Sequence, residues 1–279
     1  ESTMLGYTDR WTANSAVIPA GNDPKGSINV FVQYAGDVII EVNGYYGQAN
    51  LSTTPNPMQI AMLMWYHAAN ISSHFTAGGD LNGPYGLAFD GAHVWVANFN
   101  GNSVTELNAS DGTKVNTFTA GGDIKSPYGL AFDGAHIGVA NYSTNSVTEL
   151  NASDGTKVGT FTAGGDINGP AGLAFDGAHV WVTNGGASSV TELNASDGSK
   201  VGTFTAGGDI NHPRAVAFDG AHIWVGSEVG DSVTELNASD GSKVGTFTAG
   251  GDISDPVALA FDGAHIWVAN YLGNSVDKL

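Results

Sequence analysis

The sequence predicts an all-β fold, a five-bladed β-propeller, and three observations carry that prediction. The string Thr-Ala-Gly-Gly-Asp occurs five times, beginning at Thr76, Thr119, Thr162, Thr205 and Thr248, a constant step of 43 residues. Each unit holds four short strand-like runs separated by turn signals, and four antiparallel strands in about 40–45 residues make one propeller blade. The inner strand begins five times, at Gly86-Leu, Gly129-Leu, Gly172-Leu, Ala215-Val and Ala258-Leu. A helical solenoid of similar period would need apolar residues every 3.6 positions, and that periodicity is missing.

In the first unit the strands are expected at Tyr85–Phe89, His93–Asn98, Ser103–Asn108 and Lys114–Phe118. Asp90-Gly91 links the first two as a tight hairpin in which Gly accepts positive φ. The stretch from Asn108 to Gly112 links the last two, and the loop Gly78–Pro84 leads into the unit. Trp95, Trp181, Trp224 and Trp267 share one place in the second strand, where an indole wedges between blades. Gly138 stands there in the second unit, which predicts a local cavity or a neighbour that fills it.

The last unit stops at Leu279, after its third strand. A candidate for the missing outer strand precedes the first unit, at Ile71–Asp80, whose Phe-Thr-Ala-Gly-Gly-Asp half repeats that of Lys114–Asp123. The propeller, residues 71–279, is therefore expected to be closed by this N-terminal strand, which hides two sheet edges.

Residues 1–70 contain no repeat. Ile28–Tyr34 and Asp37–Val42 alternate apolar and polar positions around Ala35-Gly36, a hairpin signal. Residues 1–50 read as a partial β-sandwich-like segment and 51–70 as a linker followed by the apolar run from Met58 to Ala69, with Met62, Met64, Trp65 and Tyr66. Such a run suits a core element or an intersubunit contact, so self-association through residues 1–70 is one expectation. No run is long enough to span a bilayer as a helix. The chain begins at Glu1 rather than Met and reads as a processed chain or a fragment.

Val94-Trp-Val-Ala-Asn98 followed by Asn102-Ser-Val-Thr-Glu-Leu-Asn108 resembles the repeat of YVTN-type propellers, related to NHL and virginiamycin B lyase-like propellers. The likeness covers residues 71–279 and implies the propeller fold and a location outside the cell, secreted or on the cell surface. The stretch from Ser15 through Tyr46 is similar to the C-terminal half of a β-sandwich module of secreted bacterial proteins. Folds of this kind host many functions, so function has to be argued from sites.

The formal net charge is −18, with nine Lys and Arg against 27 Asp and Glu. That balance repels phosphate backbones and anionic lipid heads, which argues against nucleic acid and membrane insertion. There is no cysteine, so disulfides, thiolate metal sites and Cys nucleophiles are excluded. No phosphate-binding glycine loop, nucleophile elbow or His-Glu-x-x-His is present.

The repeats can be compared with one another. The hairpins Phe-Asp-Gly-Ala-His and Asn-Ala-Ser-Asp-Gly recur unchanged, and these turns lie on one face of the disk. The other face carries the blade-to-blade loops and the loops after the second strand, and there the units diverge. We expect this variable face to do the work. It is expected to present Tyr85, Phe99, Tyr128, Tyr142 and Tyr271, with Asn82, Asn98, Asn141, Asn184 and Asn270 at the channel rim, and to bind a glycan or a protein. In the fourth unit His212, Arg214, Glu228 and Asp231 replace mostly neutral residues, and Asp255 follows at the next blade. His212, Glu228 and Arg214 are weak candidates for acid–base catalysis by a lyase or hydrolase. The virginiamycin B lyase-like resemblance implies His and Glu with a metal at a comparable face, but no motif spacing carries those residues over.

Asp80, Asp123, Asp166, Asp209 and Asp252 form an expected ring on the variable face, a weak candidate for Ca²⁺ set against simple capping of their own turns. His93, His136, His179, His222 and His265 recur after a hairpin and are expected to make one structural hydrogen bond each, too far apart to share a metal. The leading functional expectation is an extracellular adhesion or binding propeller without a cofactor. The alternatives are a self-assembling filament or surface-layer subunit, with the N-terminal half-module pairing with a neighbour, and an enzyme at the fourth repeat.

Overall fold

The structure is a computed structural model that describes residues 74–279. Blade one consists of β1 (Pro84–Phe89), β2 (His93–Asn98), β3 (Ser103–Asn108) and β4 (Lys114–Phe118). Blade two has β5 (Pro127–Phe132), β6 (His136–Asn141), β7 (Ser146–Asn151) and β8 (Lys157–Phe161). Blade three has β9 (Pro170–Phe175), β10 (His179–Asn184), β11 (Ser189–Asn194) and β12 (Lys200–Phe204). Blade four has β13 (Pro213–Phe218), β14 (His222–Ser227), β15 (Ser232–Asn237) and β16 (Lys243–Phe247), and blade five has β17 (Pro256–Phe261), β18 (Ile266–Asn270) and β19 (Ser275–Lys278). Each sheet is an antiparallel meander with strands in chain order, and the inner strands β1, β5, β9, β13 and β17 lie successively side by side. The result is a five-bladed β-propeller.

Two details explain why the repeat is so constant. Ala77, Gly78 and Gly79 all lie at positive φ, at 50°, 70° and 98°, and nothing crowds either glycine. Glycine is needed there for backbone conformation rather than for space. At Gly86 the reason is the reverse. A Cβ on Gly86 would fall 2.3 Å from the carbonyl oxygen of Tyr128, so only glycine lets the inner strands of blades one and two meet.

The core lies between blades. Trp95, Ala97 and Val104 of blade one pack on Leu130, Ile137, Val139 and Leu150 of blade two, and Ile124 of the connecting loop seals the wedge. Trp181, Val190 and Ile210 pack in the same way on Ile223, Val225 and Leu236. Gly138 leaves the expected cavity, about 20 Å³, lined by Ala131, Phe161, Val180 and Leu193.

The seam between blades five and one differs from the other four. Leu87 is 65% exposed where its counterpart Leu130 is 8% exposed. Trp267 is 41% exposed where Trp95 and Trp181 are fully buried. Among the described residues blade five has three strands. Ile71–Ser73, the first part of the expected closing strand, lies outside the described residues, as do the expectations for residues 1–70. His74 and Phe75 form no strand. Phe75 nevertheless sets its ring against the Gly112 turn, as Phe118 does against Gly155 and Phe161 against Gly198. It occupies the place where an outer strand would end beside blade one.

Candidate functional site

Blade-to-blade loops and β2–β3-type loops meet on one face of each blade. The amide of Phe99 donates to the carbonyl of Gly83, and that of Tyr142 donates to the carbonyl of Ser126. A second tie crosses to the next blade. Asn102 Oδ1 accepts from the Ser126 amide at 2.8 Å, and Asn145 Oδ1 accepts from the Gly169 amide at 2.8 Å. In the later blades the loops keep these ties with other residues. The amide of His212 donates to Ser188 Oγ at 3.2 Å, and that of Asp255 to Asp231 Oδ1 at 2.8 Å.

This framework gathers four of the expected aromatic residues. Tyr85 and Tyr128 lie 4.4 Å apart by ring centroid, Tyr85 and Phe99 5.5 Å, and Tyr128 and Tyr142 6.4 Å. The outer rings are open to solvent, Tyr85 and Tyr142 most of all. Tyr271 is also exposed, but it forms no ring pair among the described residues.

The charged residues of blade four form the second half of the site. Glu228 Oε2 accepts from His212 Nδ1 at 2.7 Å and from Arg214 Nε at 2.6 Å. Held in this way, His212 keeps Nε2 free on the side of Gly185. The backbone here is strained: His212 has φ 50° and Asp255 φ 54°, at places where Gly83 and Gly169 sit at 61° and 56°. A left-handed conformation costs a non-glycine residue about 1–2 kcal/mol. Asp255 is buried, and its Oδ1 has no hydrogen-bond partner. Burial, reinforced by the negative charge of Glu228, raises the Asp255 carboxyl above its usual range.

Tyr128 links the two halves. Its hydroxyl is pushed up to about 12, mainly by burial, and it responds to the charges of Arg214 and Glu228. The aromatic group and the charged group therefore lie near enough for the charges of Arg214 and Glu228 to act on Tyr128.

The asparagines are a correction. Asn98, Asn141, Asn184 and Asn270 are buried rather than lining the rim. Asn98 Nδ2 donates to Ser103 Oγ and to Thr105 Oγ1 at 2.9 Å, while its Oδ1 accepts from the Asn82 amide. They brace the loops from beneath, and Ser227 takes over that place in blade four. The aspartates are a second correction. Asp80, Asp123, Asp166 and Asp209 each accept from a lysine of the outer strand, Lys114, Lys157, Lys200 and Lys243, at 2.8–2.9 Å. A threonine, such as Thr117, donates to the same oxygen. Those bonds hold the carboxylates low and claim them one by one, so they do not converge on a shared ion. Among the described residues no lysine pairs with Asp252 in this way.

Sequence reasoning overlooked Asp255 as a buried acid, because nothing in its local string marks the burial. It also overlooked the glutamate in every third strand, although Glu106, Glu149, Glu192 and Glu235 recur at fixed spacing and stand opposite Trp95, Gly138, Trp181 and Trp224.

No protein-family model matches the chain, and no curated protein matches it in sequence. Solved structures do. Hydrazine synthase from Kuenenia stuttgartiensis superposes with a TM-score of 0.56 at 22% identity, over 68% of this chain and 56% of that one. A streptogramin B lyase gives 0.58 at 17% identity, over 75% and 67%. A catalytically inactive virginiamycin B lyase from Staphylococcus aureus, in a structure with quinupristin, gives 0.58 at 19% identity, over 70% and 65%. The chain thus spans between about half and two thirds of these neighbours. At such identities the likeness is one of fold, and it agrees with the propeller resemblance read from the repeat.

Proposed function

We propose that this chain is a binding propeller that takes a carbohydrate on its variable face, outside the cell. One observation carries the reading: the exposed rings of Tyr85 and Tyr142 pack with the half-buried rings of Phe99 and Tyr128, and Tyr128 lies near enough to Arg214 and Glu228 to feel their charges. Aromatic faces stack on the apolar faces of sugars, while a guanidinium and a carboxylate read hydroxyl groups. The net charge of −18 favours neutral or basic glycans over anionic ones. A glycan array followed by titration of the best binder tests this. Tyr128→Ala is expected to weaken binding at least tenfold, and silence across the array removes the reading.

A lyase or hydrolase is the second reading, favoured by the 2.7 Å contact that fixes His212 Nδ1 on Glu228 and frees Nε2 to act as a base. Its test is turnover of bound glycan or cyclic peptide substrates. His212→Ala is expected to abolish turnover without abolishing binding, and unchanged turnover would reject it.

A further inference from the structure

On the opposite, unvarying face each of the first four blades carries the same three side chains at one point. In blade one they are Asp90, His93 and Glu106; in blades two to four they are Asp133, His136, Glu149; Asp176, His179, Glu192; and Asp219, His222, Glu235. We propose that each set is a binding site for a borderline divalent transition ion of the Zn²⁺ class, so that the chain holds four such ions.

The geometry is the first argument. His93 Nδ1 lies 3.1 Å from Asp90 Oδ2 and 3.3 Å from Glu106 Oε1. The distances are 3.1 and 3.3 Å in blade two, 3.2 and 3.2 Å in blade three, and 3.2 and 3.3 Å in blade four. Within each set the three ligand atoms lie within 4.8 Å of one another. Zinc bonds of about 2.0–2.2 Å in a tetrahedron place neighbouring ligand atoms about 3.4 Å apart. One nitrogen and two carboxylate oxygens suit such an ion, with solvent as the fourth ligand. Calcium, which takes six to eight oxygens, is poorly served.

The glutamates supply the independent argument. The side chains of Glu106 and Glu192 are 7% and 5% exposed, and among the described residues neither receives a hydrogen bond from the main chain. Their polar neighbour is the Nδ1 atom that also faces the aspartate. A neutral imidazole carries at most one proton there, so it can serve only one of the two carboxylates at a time. A cation at the centre satisfies all three ligands together.

The surroundings are arranged as a metal site requires. Asp90 Oδ1 accepts the amides of Ala92 and His93, and Oδ2 accepts Trp95 Nε1 at 2.8 Å, which fixes the carboxylate from behind. A groove of about 510 Å³ between blades three and four, lined by His179 and His222, opens two of the sites to solvent.

Blade five is the built-in control. It repeats the Asp262–His265 pair, but Lys278 stands opposite Trp267, where Glu106 stands opposite Trp95. An ammonium at that place repels a cation.

Equilibrium dialysis of the full chain against Zn²⁺, with metal analysis, is expected to give four ions per chain, and Co²⁺ is expected to give the absorption of a four-coordinate site. Glu106→Gln is expected to lower the count to three, His212→Ala to leave it at four, and Lys278→Glu to raise it to five. Lys278 lies at the exposed end of blade five, so this gain-of-site variant keeps the test open should Glu106→Gln fail to fold. A count that ignores both Glu106→Gln and Lys278→Glu, or that falls with His212→Ala instead, overturns the proposal, as does an absence of bound zinc.

Discussion

The indole of Trp181 donates its N–H to Asp176 Oδ2 over 2.8 Å, whereas Gly138, at the same place one blade earlier, leaves Asp133 Oδ2 with His136 alone. A Cβ on Gly138 would approach Leu173 no closer than 3.4 Å, so the site has room to begin a side chain. Gly138→Ala is expected to take up part of the cavity and stabilise the chain by about 1 kcal/mol. Chemical denaturation measures this. Destabilisation would show that blade two has closed around the glycine.

The buried asparagines set a second expectation. Asn184 Nδ2 donates to Ser189 Oγ and Thr191 Oγ1, and its Oδ1 receives the Asn168 amide. Truncation leaves these partners unserved in a dry site. Asn184→Ala is expected to cost about 2 kcal/mol, and Asn184→Ser less, because Ser227 already fills the equivalent place in blade four. Equal losses for the two variants would contradict the bracing role.

Asp255 predicts a pH dependence. Its carboxyl is raised in the folded chain, so the folded state holds a proton more tightly than the unfolded state does. Stability from this group is present at low pH and is lost as pH climbs from the usual aspartate range through the raised folded value. Asp255→Asn keeps the neutral form at every pH. Its melting temperature is expected to match that of the parent in acid and to exceed it near neutrality. A gap that does not widen with pH would count against this assignment.

Glu228 is the hub of the charged half of the site. Glu228→Gln is expected to loosen both His212 and Arg214 and to weaken glycan binding several-fold, with little change in folding stability because the cluster is partly solvated. Calorimetric binding and melting curves on the same samples separate the two effects.

Much of the architecture was legible because repetition makes turns and strands visible together. The strand bounds in blade one, the hairpin at Asp90-Gly91, the wedge tryptophans and the gap at Gly138 all follow from the lockstep of the units. What escaped is whatever depends on depth. Asn98 and Tyr85 both lie at the variable face, but one side chain points beneath the loops and the other into solvent, whereas polarity placed both at the surface. Asp80 and its equivalents looked like a ring because each lies beside a loop. Lys114 and Thr117, which claim Asp80, come from a strand 34 and 37 positions later. The Asp90–His93–Glu106 set was missed for a related reason: its glutamate lies on the next strand, outside the β1–β2 hairpin that holds the other two.

Unequal seams give this propeller one weak junction, between blades five and one. Among the described residues each interior blade is clasped on both flanks, whereas β17–β19 and the Leu87 flank of blade one are clasped on one. Opening is therefore expected to begin at the seam between blades five and one, so that amide exchange runs fastest in β18 and β19 and slowest in β10 and β11. The variable-face opening is bordered by blades one, two and four, so fraying of blade one would remove Tyr85 and Phe99 from it while the fold of blades two to four persists. A ligand that bridges both halves of the opening would act as a splint.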